Sequence, residues 1–204
     1  MYGVPVMFMK VDGQLNFATT LVSQTSTNPS KTILRGRGIA LLDAPNMMCS
    51  LIPLHGTPLV SDDRFNLRRI ATYLNERFDV NCFDFVIAKQ LFGERYKLKD
   101  AVRRMHWNYV EVTKCRYGWD MKDPVDDHIR ETIRSRVQKC ESRGTIAIAS
   151  HDGGYASHLQ FAVDEGWRVV ILGVVELMSH RLLKLAGSQV EILDLKTLGL
   201  QFKR

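Results

Sequence analysis

TIAIASHDGGYASHLQFAVDEGWRVVILGV, residues 145–174, is the stretch whose reading decides the fold. It opens on a short unbroken apolar run, TIAIAS (145–150), and closes on another, WRVVILGV (167–174). Runs of this length without polar alternation mark strands covered on both faces, since neither face meets water. Between them Leu159, Ala162 and Val163 fall on one side of a helix, and Gly166 stands where a left-handed cap would end it. Strand, helix and strand in this order predict one unit of a parallel sheet.

The same signature recurs outward in both directions. GIALLD (38–43) and QVEILDL (189–195) repeat the buried-strand pattern, with FDFVIA (83–88) and NYVEVT (108–113) as weaker members. Helical faces lie between them: Leu67, Ile70, Ala71, Leu74 and Phe78 form one, and Ile129, Ile133 and Val137 another. Alternation of strands and helices predicts an α/β fold with a mainly parallel central sheet, helices on both sides and right-handed crossovers. The stretch from Asn46 to Ser61 contains Pro53, Gly56 and Pro58 and is long for a strand-to-helix connection, so it is expected to be a loop over the site.

Ahead of this domain, VPVMFMKV and QLNFATTLV flank Asp12-Gly13, a pair that readily takes positive φ between two strands. The expectation is an N-terminal β-hairpin followed by a polar linker, SQTSTNPSK, with the extension over residues 1–36 and the domain over 37–204. Exposed hairpin edges suit contact with a second copy or a protein partner.

Composition narrows the function classes. In 204 residues an apolar share of 45% and a charged share of 25% exclude a disordered chain. No apolar run approaches the roughly 18 residues of a membrane helix, so no membrane partner is expected. The opening MYGVPVMFMKVDG carries Pro5 and Lys10 and lacks the pattern of a secretory leader. Cys49, Cys82, Cys115 and Cys140 are far apart and form no CxxC pair, which argues against a zinc site or a disulfide scaffold and for a reducing cytoplasm. The net charge of +6 and pI near 9.2 suit a polyanionic partner.

In open α/β sheets the functional crevice lies beyond the carboxyl ends of the strands. Asp43 ends GIALLD, and Asp152 stands two residues beyond TIAIAS. Asp123-Pro124 reads as an N-cap with proline at the first helical position, which places Asp126 and Asp127 in an opening turn. Singly each has an ordinary role: a turn former for Asp43 and Asp152, a helix-dipole partner for Asp126. Together three carboxylates repel unless something positive sits among them, and a hard divalent cation such as Mg²⁺ answers that need. Such a cation, or a pair about 3.5–4 Å apart, activates water and neutralises phosphate charge, which implies phosphodiester hydrolysis.

Taken together the segments resemble the NYN domain, a branch of the PIN-like nucleases. LLDAPNM is similar to the opening strand with its Asp-x-x-Asn signature, carried by Asp43 and Asn46. KDPVDDHI resembles the middle Lys-x-x-Val-Asp element, which points to Asp126, and IASHDGGYASHLQFAVDEGWRVVILG resembles the Ser-x-Asp strand and helix, carried by Ser150 and Asp152. SHRLLKLAGSQVEILDL looks like the closing helix and strand, so the likeness spans roughly residues 37 to 195. The resemblance implies a Rossmann-like three-layer fold and a ribonuclease whose Mg²⁺ or Mn²⁺ is held by Asp43, Asp126 and Asp152. Asn46 would join them in catalysis, with Ser150, Asp127 and His151 in support. The chain departs from the family at Gly154, where a second aspartate is usual, and at Gly187 and Ser188, where an acidic residue is frequent. Asp127, His128 and His151 are the neighbours that could take a vacated ligand position. The departures motivate the alternative of a catalytically degenerate RNA-binding or assembly module. A nucleotide-handling enzyme or an aspartyl phosphatase fits less well, because no GxGxxG follows the first strand and Asp43 has no aspartate two residues on.

Three basic clusters stud the expected helices: Arg64, Arg68 and Arg69, then Lys97, Lys99, Arg103 and Arg104, then Arg130, Arg134, Arg136 and Lys139. Arg103, Arg104, Arg130 and Arg134 are the expected RNA contacts. Tyr96, His106, Trp107 and Tyr117 lie near the second cluster, where aromatic rings beside cations stack unpaired bases.

Overall fold

The computed structural model describes residues 38–48, 66–89, 96–113 and 123–198. All belong to the unit Ile33–Arg204. The expected hairpin and linker, and most of the expected covering loop, lie outside the described residues. Within them the strands are β1 (Gly38–Asp43), β2 (Val80–Ala88), β3 (Asn108–Val112), β4 (Thr145–Ala149), β5 (Arg168–Gly173) and β6 (Val190–Asp194). The helices are α1 (Leu67–Phe78), α2 (Tyr96–Arg104), α3 (Pro124–Lys139), α4 (Ala156–Asp164) and the short α5 (His180–Leu183). Residues 44–48 are also helical, so Asn46 lies within a helical turn rather than at the start of a loop.

The strands form one sheet in the order β3-β2-β1-β4-β5-β6, and every pairing is parallel. This is the α/β three-layer architecture read from the apolar runs. Strand side chains alternate between two cores. Ala40, Leu42, Phe85, Ile87, Ala147 and Leu172 pack with α1 and α2 on one side. Ile39, Leu41, Val86, Ile146, Ile148 and Ile171 pack with α3 and α4 on the other. Burial on both faces explains why these strands lack polar alternation.

Local signals explain the element ends. Asp123 accepts a hydrogen bond from the Val125 N–H at 2.9 Å and Pro124 takes the first helical position, so α3 starts where the dipeptide places it. Beyond α4, Gly166 has φ +81°, and the Gly166 and Trp167 N–H groups donate to Val163 and Ala162 carbonyls at 2.8 and 2.9 Å. β2 begins three residues before the expected FDFVIA. Asp79 adopts left-handed φ 53° and turns the chain directly from α1 into the strand, where Val80 is fully buried.

Trp107 corrects one expectation. Expected among the base-stacking rings, it is instead buried, donates its indole N–H to the Leu67 carbonyl at 3.0 Å and packs against Phe83 at 5.3 Å between centroids. Its amphipathic ring satisfies its one donor inside the core. His106 is exposed at φ 65°, and Tyr96 and Tyr117 lie outside the described side chains.

Candidate active site

β1 and β4 are adjacent, yet the helices that follow them lie on opposite sides of the sheet, so their carboxyl ends bound the crevice of a topological switch point. Asp43 is the last residue of β1, and Ser150, His151 and Asp152 follow β4. The third wall is the first turn of α3, which delivers Asp126 and Asp127.

Asp43 is only 3% exposed. Its Oδ1 accepts the Asn46 backbone N–H at 3.1 Å, while its Oδ2 accepts the Ser150 hydroxyl at 3.1 Å and the Tyr155 hydroxyl at 2.9 Å. The same phenolic oxygen lies 2.6 Å from Asp126 Oδ1. Asp126 Oδ2 takes the Arg130 guanidinium at 3.0 Å, and Asp127 stands 3.7 Å from it. Asp152 caps the turn after β4 by accepting the Gly154 N–H at 2.9 Å, while its own N–H donates to Ser150 Oγ at 3.1 Å. It is also close enough to Asp126 to raise that carboxyl. Asp43, Asp126 and Asp152 therefore share one neighbourhood.

The central contact has a hydrogen missing. A phenol carries one hydrogen and ionised carboxylates carry none, so Tyr155 cannot donate to Asp43 and Asp126 together. A second positive charge, a proton or a cation, is needed to close the pair. Burial is the main cause that raises the Asp43 carboxyl to about 6, partly offset by the Asn46 N–H and the Tyr155 hydroxyl and reinforced by Asp126. Burial likewise raises Asp126, against the opposing Tyr155 and Arg130 contacts.

Asn46 ties two strand ends together: its N–H serves Asp43, and its side-chain oxygen accepts the His151 N–H at 2.8 Å. His151 is buried, and its Nε2 accepts the Val174 N–H at 3.0 Å, so the ring proton sits on Nδ1. Burial lowers its pKa to about 4. An Nε2 already committed to Val174 links the ends of β4 and β5 and is not offered as a ligand.

Tyr155 and the position of Arg130 are what the sequence reading missed. Tyr155 is fully buried, three residues beyond Asp152, and a buried tyrosine needs a partner for its hydroxyl. That was the available signal. Arg130 lies 5.7 Å over the Tyr155 ring. Gly154 makes room for it, because a Cβ there would stand 2.7 Å from Arg130 Nη2. Gly153 is equally hemmed in, since a Cβ there would clash with Ser179 Oγ.

The expected RNA contacts divide. Arg130 is in the cluster, and Arg134 is exposed one turn further along α3. Arg103 and Arg104 end α2 just before β3 starts, which puts them at the amino edge of the sheet, away from the aspartates. A groove of about 570 Å³ beside α3, lined in part by Asp84, His128, Arg136 and Lys139, includes none of the three aspartates.

The fit to a cation rests on donor chemistry. Asp43, Asp126, Asp127 and Asp152 supply hard oxygens against one guanidinium, and the shared phenol leaves the central pair short of a positive charge, which suits Mg²⁺ or Mn²⁺. The side chains do not form a ready-made cage: among the described residues no three His, Cys, Asp or Glu groups stand in metal-holding array.

No protein-family model matches the chain, and no curated protein matches it significantly. Among solved structures, the chain is similar to a protein of unknown function from Vibrio parahaemolyticus, at 12% identity and a TM-score of 0.62 over 78% of this chain and 94% of that one. That likeness supports the fold alone. Among the described residues no helix is long and apolar enough to cross a membrane.

Proposed function

We propose that the chain is a metal-dependent endoribonuclease that hydrolyses RNA phosphodiester bonds at the aspartate cluster. The observation that carries this reading is the convergence of Asp43 and Asp126, from two separate elements, on one buried oxygen at 2.9 and 2.6 Å, with Asp152 alongside. Mg²⁺ or Mn²⁺ would be held by Asp43, Asp126 and Asp152, and when bound it supplies an activated water and neutralises charge on the phosphate. Asn46 and Ser150 fix the Asp43 carboxylate, each through one hydrogen bond at 3.1 Å. Arg130 is a permanent cation at the rim and would meet a phosphate oxygen of the substrate. The net charge of +6 suits a polyanionic RNA, and a reducing cytoplasm goes with the same reading.

The test is a cleavage assay on single-stranded RNA with Mn²⁺ or Mg²⁺. Wild type should cut, while Asp43→Asn and Asp152→Asn should fold and not cut. Cutting that persists in EDTA, or in both variants, would remove the proposal.

One observation favours a second reading. Arg130 fills the space beside Gly154 and pairs with Asp126, so part of the acidic charge is already answered from within the chain. A degenerate RNA-binding or assembly module would show salt-sensitive binding with no product on a gel. Metal-stimulated turnover lost in Asp43→Asn would exclude it.

A further inference from the structure

We propose that Tyr155 is the positioning residue of the cation site, its hydroxyl donating its one hydrogen to Asp43 or Asp126 and lying against the other, which sets how the two carboxyls stand to each other. The inference rests on the nuclease reading and adds to it a residue outside the three carboxylates. Asp43 comes from the end of a strand and Asp126 from a helix that packs over it, and no contact other than this phenolic oxygen joins their carboxyl groups among the described residues. The phenol is a rigid post. Its ring is fully buried among the side chains that pack α3 and α4 onto the sheet, and the turn that carries it leaves no room for a side chain at Gly153, beside Ser179, or at Gly154, beside Arg130.

Two carboxylates brought together repel, and among the described residues no other side chain spans the two to set their separation against that repulsion. A hydrogen bond from a neighbouring side chain to a ligating carboxylate orients it and tunes its basicity, and loss of such a partner typically costs about 10–100-fold in metal affinity. Ser150 and Asn46 already orient Asp43 from its own side of the crevice. Among the described residues Tyr155 is the one side chain within hydrogen-bond distance of both Asp43 and Asp126.

The test is a titration of the full chain with Mn²⁺, followed by the electron paramagnetic resonance of the free ion, for wild type, Asp43→Asn and Tyr155→Phe. Circular dichroism and melting temperature serve as folding controls. Wild type should bind, Asp43→Asn should bind far more weakly, and Tyr155→Phe should fold normally with an affinity about 10–100-fold below wild type. If Tyr155→Phe binds Mn²⁺ as wild type does while Asp43→Asn does not, the positioning role is wrong and the nuclease reading stands. If wild type and Asp43→Asn take up Mn²⁺ alike, both fall. A Tyr155→Phe chain that does not fold also overturns the assignment, since the hydroxyl would then be holding the fold.

Discussion

The two edges of the central sheet treat polar groups in opposite ways. At the amino edge the hydrogen bonds and ion pairs that close the strands join neutral or oppositely charged partners, although the buried Trp167 indole N–H has none. Thr145, at the start of β4, donates its hydroxyl to the Phe78 carbonyl at 2.8 Å, and the Asn75 amide donates to the Val80 carbonyl at 2.9 Å. Arg168 pairs with Glu191 at 3.0 Å and lies 4.4 Å over the Phe78 ring. At the carboxyl edge like meets like: two carboxylates face one phenol, and a third stands close by. An edge whose charged groups are paired closes the fold. An edge where two carboxylates share one phenolic hydrogen is short of a positive charge that a proton or a cation supplies, and the proposed nuclease reading rests on that difference.

The comparison is most easily broken through Asp43. Replacement by Asn should reduce RNA cleavage to background with circular dichroism unchanged, and Asp152→Asn should do the same. Retained cleavage would mean the carboxyl edge is as structural as the other.

The second largest effect concerns pH. Burial raises the Asp43 carboxyl from its ordinary 3.8 to about 6. A carboxyl raised on folding stabilises the protein in its neutral form, fully below the ordinary value, and that contribution is lost as pH climbs through about 6. Asp43→Asn is neutral throughout and has nothing to lose. The variant should therefore gain on wild type by up to about 3 kcal/mol between roughly pH 4 and pH 7, measured from urea midpoints. His151, lowered to about 4 by burial, has the opposite sign: its stability is present above 6.5 and lost as pH falls through 4. It is common to both chains and cancels in the difference.

At the amino edge the expected effects are smaller and leave cleavage untouched. Thr145→Val strands the Phe78 carbonyl from its side-chain donor and should cost about 1–3 kcal/mol in a urea melt, with wild-type turnover. Arg168→Ala removes a half-exposed ion pair and a ring contact and should cost no more than about 1 kcal/mol, shrinking with salt. A loss of cleavage in either variant would blur the division between the edges.

Much of this organisation is legible in the chain because it is local. The Asp123-Pro124 start of α3 and the left-handed Gly166 are decided by residues within one turn, and the buried strands announce themselves by having no polar face. Asp43 and Asp152 could be singled out because strand ends in such a sheet are where function sits. Sequence neighbourhood groups Trp107 with the basic residues of α2, yet Trp107 turns inward to the Leu67 carbonyl, and Arg103 and Arg104 come out at the far edge from Arg130. His151, beside Asp152, was open to reading as a spare ligand until the Val174 N–H took its Nε2.

By itself the sequence determined the alternation of buried strands and helices, the helix caps and the acidic residues at the strand ends, since each depends on residues a few positions apart. Only the tertiary structure decided that Asp43 and Asp126 meet at Tyr155, from which they stand 112 and 29 residues away along the chain and 2.9 and 2.6 Å away in space. That meeting is made by the packing of α3 and the turn after β4 against the crevice, a long-range arrangement that no local pattern carries.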